Sequence, residues 1–166
     1  MALLPGLNGP IHAAELKIHY DVSFSALVVG EATLTADIQP ARYSIKGGMA
    51  FIGLAGLITD VKASGAANGR HGGNSVHPAN FVVNSRSSWG ERTIRMSMAQ
   101  GNVSSVSIIP PLVTGAGSIP VSSRDKRAVV DPLSALMMPT AKGVDPLDKD
   151  NCNRSLQVFD GGTRMT

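Results

Sequence analysis

The run from Leu16 to Phe24 alternates without a break: Leu16, Ile18, Tyr20, Val22 and Phe24 are apolar, and Lys17, His19, Asp21 and Ser23 lie between them. A period of two sends successive side chains to opposite faces of an extended strand, so this run specifies one buried and one wet face. Such two-faced strands belong to antiparallel sheets, because parallel sheets are covered on both sides. After Ser25-Ala26 the rhythm resumes from Val28 to Ile38. Ala32, Leu34, Ala36 and Ile38 fall on one face, and Glu31, Thr33, Thr35 and Asp37 on the other. The two runs predict a hairpin, with Gly30 suited to a bulge.

The same pattern continues along the chain. Gln39-Pro40-Ala41 reads as a turn, and Arg42 to Lys46 as a third strand with Tyr43 and Ile45 inward. Thr59 to Ala67 reads as a strand with Val61 and Ala63 inward, and Asn68 to Asn74 as a flexible turn. Phe81 to Ser87 and Arg92 to Ala99 are two further strands joined at Ser88-Trp89-Gly90-Glu91. Val103 to Ile109 follows a hairpin turn at Gln100-Gly101-Asn102. Pro110 to Ser123 reads as a loop. Asp131-Pro132 then signals a helix start, with Asp capping free N–H groups and Pro at the first helical position; this helix is expected over Pro132 to Met138. After a polar linker, Leu156, Val158 and Phe159 form a last apolar segment that meets a turn at Asp160-Gly161-Gly162. Only Thr163 to Thr166 follow that turn, so the sheet is expected to lack its C-terminal strands.

One segment breaks the rhythm. Between Met49 and Ile58, Phe51, Ile52, Leu54, Ala55, Leu57 and Ile58 crowd together around Gly53 and Gly56. A short helix or an apolar loop is expected there, since each interior glycine costs a helix about 1 kcal/mol. Phe51, Ile52, Leu54 and Leu57 are its candidate ligand-binding residues, as a lid or pocket wall at one end of the sheet; ordinary core packing would look the same in sequence.

The first 14 residues, MALLPGLNGPIHAA, are apolar and turn-rich and end in Ala13-Ala14. They are expected to be a signal-peptide remnant or a disordered leader ahead of a single domain over residues 15–166. No other apolar run approaches the roughly 20 residues needed to span a membrane.

Composition narrows the function classes. The net charge is +3 and the basic residues are scattered, with Trp89 as the one tryptophan, so the clustered basic face and stacking aromatics of a nucleic-acid binder are missing. A single cysteine, Cys152, allows neither an internal disulfide nor a thiolate cluster for zinc. His71 and His77 flank a glycine-rich stretch, yet nothing nearby in sequence completes a metal set. No phosphate-binding glycine loop and no nucleophile elbow is present, so no catalytic, cofactor or metal residue is assigned. Ser134 reads as a plain polar position and Asp131 as a cap. Arg124, Lys126 and Arg127 offer contact to an anionic partner or simply a solvated run.

Three stretches together carry a family resemblance: Tyr20-x-Val22 with Gly30-Glu31-Ala32, then Asp131 to Leu136 (DPLSAL), then Val158-Phe159-Asp160-Gly161. In that order and spacing the chain from Glu15 onward resembles the exported proteobacterial family called domain of unknown function 3108. The resemblance implies an exported, periplasmic, β-rich protein with no assigned activity. By looser analogy with periplasmic lipoprotein carriers it implies a strongly curved antiparallel sheet or half-open barrel with one or two short helices. It also implies that Cys152 forms a disulfide with a downstream segment missing here. Three functions follow as expectations: non-enzymatic binding of a lipid or other apolar ligand or of an envelope partner, favoured here; an envelope-associated hydrolase using His71 or His77; and a structural adaptor acting through a sheet edge.

Overall fold

Alternation is realised as register. In the computed structural model, which describes residues 14–53, 56, 60–72, 75–112, 120–137, 145, 148–153 and 155–166, β1 (Ala14–Phe24) pairs antiparallel with β2 (Leu27–Ile38). Ser25 and Ala26, both at positive φ (48° and 66°), make the two-residue turn between them. Both-positive turns match the right-handed twist of a hairpin. The register shifts at Val22/Ser23, opposite Gly30 and Val28, so a bulge lies beside Gly30.

Five more strands follow: β3 (Arg42–Phe51), β4 (Lys62–Gly72), β5 (Ser75–Ser87), β6 (Gly90–Ala99) and β7 (Asn102–Ile109). Each pairs antiparallel with the one before it, giving one seven-stranded meander in the order β1 to β7. β1 and β7 do not pair, so the sheet is open. Mainly β, antiparallel architecture is thus as the alternation predicts.

Two differences from the sequence reading have physical causes. Asn68 to Gly72, expected to be a flexible turn, continues β4, and β5 begins already at Ser75. Turn propensity loses here because the segment pairs on both sides, with Arg42, Tyr43 and Ser44 of β3 and with residues from Ser75 to Asn80 of β5. Gly69 is needed at the crossing: a Cβ there would lie 2.4 Å from the His77 carbonyl oxygen and 2.6 Å from Tyr43 Oη. The expected helix over Pro132 to Met138 is a single 3-10 turn, Ser134–Leu136. Met138 lies outside the described residues, and Met137 is already extended.

The sheet has an apolar face and a polar face. Rows of cross-strand neighbours on the apolar face read Leu16, Ala36, Ile45, Ala67, Phe81, Met96 and Val106, and next to it Ile18, Leu34, Gly47, Gly65, Val83, Ile94 and Ile108. The chain after β7 returns across this face. Val129 and Phe159 join Ala67, Phe81, Met96 and Met98 in one buried cluster; Ala36, Tyr43 and Ile45 form a second, and Leu133 packs against both. The last segment is a short hairpin, β8 (Val158–Phe159) with β9 (Arg164–Met165), turned at Asp160 to Thr163 as the sequence suggests. Asp160 Oδ1 accepts from the N–H groups of Gly162 (2.8 Å) and Thr163 (2.7 Å). Gly161 has φ +106°, and a Cβ there would fall 2.5 Å from Ile94 Cγ2, so the hairpin sits directly on the sheet.

No helix among the described residues is long and apolar enough to cross a membrane.

Candidate functional site

The floor of the candidate site is set by small residues. Gly47 and Gly65 are neighbours on β3 and β4, in the middle row of the apolar face. Without their side chains the sheet has a hollow, and Leu133 drops into it. A Cβ on Gly47 would lie 3.2 Å from Leu133 Cδ2, and one on Gly65 would lie 3.4 Å from Leu133 Cδ1. Leu133 does not fill the hollow. Beside it runs a groove of about 470 Å³, walled by Tyr20, Met49, Val83 and Ile94 of the sheet and by Leu133 and Leu136 above. Ala32, Ala63 and the two glycines form its floor. The volume falls within the roughly 300–1,000 Å³ of small-molecule sites, and the lining is apolar as such sites usually are.

At one side the groove opens onto an uncovered apolar surface. Tyr20 (49 % exposed), Val22, Phe24 (74 %) and Leu27 are exposed on β1 and β2, and Leu136 (59 %) is exposed on the segment above.

What holds Leu133 in place is a buried polar network. Asp131 and Ser134 are fully buried. Asp131 Oδ1 accepts from the backbone N–H groups of Leu133 (3.1 Å) and Ser134 (2.9 Å), the cap predicted from Asp131-Pro132. The Ser134 hydroxyl lies 2.7 Å from Tyr43 Oη on β3. Asp131 Oδ2 is buried with no hydrogen-bond partner. Burial pushes the Asp131 carboxyl above the ordinary carboxylate range, against the opposing pull of the Ser134 hydroxyl and of the backbone N–H groups. Tyr43 is pushed up to about 12, chiefly by burial, with the Asp131 charge adding to it and the Ser134 bond opposing it.

The sequence marks Asp131 as a cap and gives Ser134 only as a plain polar position. Its partner lies 91 residues away, and nothing local in the sequence marks such a bond.

The four apolar candidates divide. Phe51 ends β3 opposite Gly30, and Phe51 and Ile52 are both half-buried. The groove wall includes Met49 but neither of these two. Leu54 and Leu57 lie outside the described residues. Among the described residues here, Gly56 donates to the Ile52 carbonyl and Asp60 to the Gly56 carbonyl, each with the four-residue spacing of a helical turn.

His71 and His77 are not brought together. His71 Nε2 lies 2.7 Å from the Gln39 carbonyl oxygen and shares the apolar side with Val76, its β5 neighbour. His77 stands opposite Arg70 on the other side, 3.0 Å from the Ser75 hydroxyl. Among the described residues no carboxylate pairs with either, so no acid, base and nucleophile converge there. The carbonyls of Arg124 and Arg127 accept from the Arg164 guanidinium at 2.9 and 3.3 Å, which fastens the basic run to β9. Cys152 ends a 3-10 turn over Lys149–Cys152.

Compared with family models, curated proteins and solved structures, the chain matches none.

Proposed function

We propose that this protein is a non-enzymatic carrier or sensor of a single acyl chain, exported to the periplasm. The observation that carries the reading is the groove beside Leu133, an unfilled apolar channel whose floor is made of residues too small to close it. An acyl chain suits it because the walls offer methyl, thioether and aromatic groups and few polar partners. The uncovered Tyr20, Val22 and Phe24 extend the same apolar surface toward solvent, where a longer chain would continue. Export is supported by the signal-like residues 1–14 and by the resemblance to domain of unknown function 3108. The resemblance also supports a curved, half-open sheet wrapped around the ligand, as in periplasmic lipoprotein carriers.

Organic extraction of the purified protein followed by mass spectrometry tests the reading. A stoichiometric fatty-acyl species, or saturable binding of a fluorescent fatty acid by the extracted protein, is expected. Protein that carries no lipid and leaves the probe unbound would rule it out.

A further inference from the structure

The two edges of the sheet differ. The β7 edge is closed where it begins: Val103 donates to the Lys126 carbonyl, Val129 donates to the Gly101 carbonyl, and Asn102 bridges Arg127. Among the described residues nothing pairs with the outer edge of β1. That edge is 11 residues long, and apart from Ile18, which is half-buried, its residues are all exposed. Leu16, Tyr20, Val22 and Phe24 stand out on its apolar side. Long, apolar edges of this kind are templates for another strand.

We infer that β1 pairs antiparallel with β1 of a second copy, about a two-fold axis at His19, so that two open sheets join into one. Antiparallel self-pairing keeps like faces together only when the axis passes through a residue, because one step of slip inverts every side chain. The charges on the polar side select the position. With the axis at His19, Lys17 of each copy faces the partner's Asp21, twice over. Glu15 faces the partner's Ser23, and the two His19 side chains meet at the centre. An axis at Ile18 sets Glu15 against the partner's Asp21 and Lys17 against the partner's His19. An axis at Tyr20 sets Lys17 against the partner's Ser23 and leaves it without a counter-charge. On the apolar side the His19 axis places Leu16 beside the partner's Val22 and Ile18 beside the partner's Tyr20, both favourable cross-strand combinations.

Within one copy, Lys17 reaches Glu15 at 3.2 Å and His19 reaches Asp21 at 3.5 Å. Both pairs are largely exposed and weak, so they leave these charges available to a partner. Asp21 also stands directly opposite Glu31 on β2, an unfavourable like-charge neighbour that a Lys17 from the second copy would offset.

Light scattering with size-exclusion chromatography on the full chain tests this with two reciprocal variants. The native chain is expected to be a dimer at micromolar concentration. Lys17→Asp and Asp21→Lys should each weaken the dimer by at least about tenfold, since each sets like charges face to face twice. An equimolar mixture of the two variants should restore dimers, because every facing pair is then of opposite charge. Circular dichroism checks that each variant keeps its strands. In a Cys152→Ser background, His19→Cys should cross-link under oxidation and Tyr20→Cys should not, since only residue 19 faces itself. A monomeric native chain would overturn the proposal. So would dimers unaffected by either charge reversal, or cross-linking at residue 20 instead of 19.

Discussion

Tyr43 Oη and Ser134 Oγ lie 2.7 Å apart, both side chains buried, joining β3 to a segment 91 residues later. This bond, with the Asp131 cap, fixes the turn that presents Leu133 to the sheet. Removing the Ser134 hydroxyl leaves the Tyr43 hydroxyl buried without a partner, and removing the Tyr43 hydroxyl takes one of the bonds of Ser134; such losses cost about 1–3 kcal/mol. Tyr43→Phe and Ser134→Ala should each lower the free energy of unfolding, read from urea titration, by that measure. The double variant should cost less than the sum of the two, because neither polar atom then remains stranded. Strict additivity would show that the bond does not form.

Alternation in Leu16 to Phe24 identifies β1, its face and its partner, because strand period and burial are local properties. Asp131-Pro132 is equally local, and its capping role was readable. Ser134 was not, because its role depends on a tyrosine brought near by four intervening strands. Asn68 to Gly72 misled for the opposite reason. Its glycines look like a turn, yet Gly69 is small so that Tyr43 and the β5 backbone can approach it. The groove itself leaves a faint trace, Gly47 and Gly65, whose meaning depends on their being neighbours. The apolar excess at Met49 to Ile58 points to Phe51 and Ile52, two and three residues beyond the Met49 that lines the groove.

Gly69 gives a second prediction. A Cβ there would meet His77 O at 2.4 Å, Tyr43 Oη at 2.6 Å and the Pro78 Cα at 2.9 Å. Two of these neighbours are backbone and cannot rotate away. Gly69→Ala should therefore destabilise by about 3 kcal/mol, at the upper end of overpacking effects. In a Tyr43→Phe background the cost should fall only partly, since the His77 and Pro78 contacts remain. Thermal denaturation of the four chains measures this. An unchanged midpoint for Gly69→Ala would show that β4 and β5 separate here.

The pH dependence follows from Asp131. Its carboxyl is raised by burial, so the folded chain holds a proton that the unfolded chain releases near the ordinary value of 3.8. Its contribution is therefore fully present below that value, and it is lost as pH rises through the raised folded value. Asp131→Asn, which keeps a capping oxygen, should flatten this part of the stability profile. A second loss belongs to Tyr43, beginning near 10.0 and complete once pH passes about 12. Urea titrations from mildly acidic to neutral pH give the first slope. A profile rising across that range, and equally steep in Asp131→Asn, would contradict the assignment.

The proposed function requires the hollow beside Leu133 to hold an acyl chain. Ala32 lies on its floor, between Tyr20 of β1 and Met49 of β3. Phenylalanine at that position would occupy the groove from the open apolar side without disturbing the Tyr43–Ser134 bond. The deciding measurement is a titration of lipid-extracted protein with a fluorescent fatty acid, native chain beside Ala32→Phe, with matching circular dichroism spectra. Saturable one-to-one binding by the native chain, weakened at least about tenfold by Ala32→Phe, which is some 1.4 kcal/mol, is the result predicted. Equal binding by the two chains, or none by either, would contradict it.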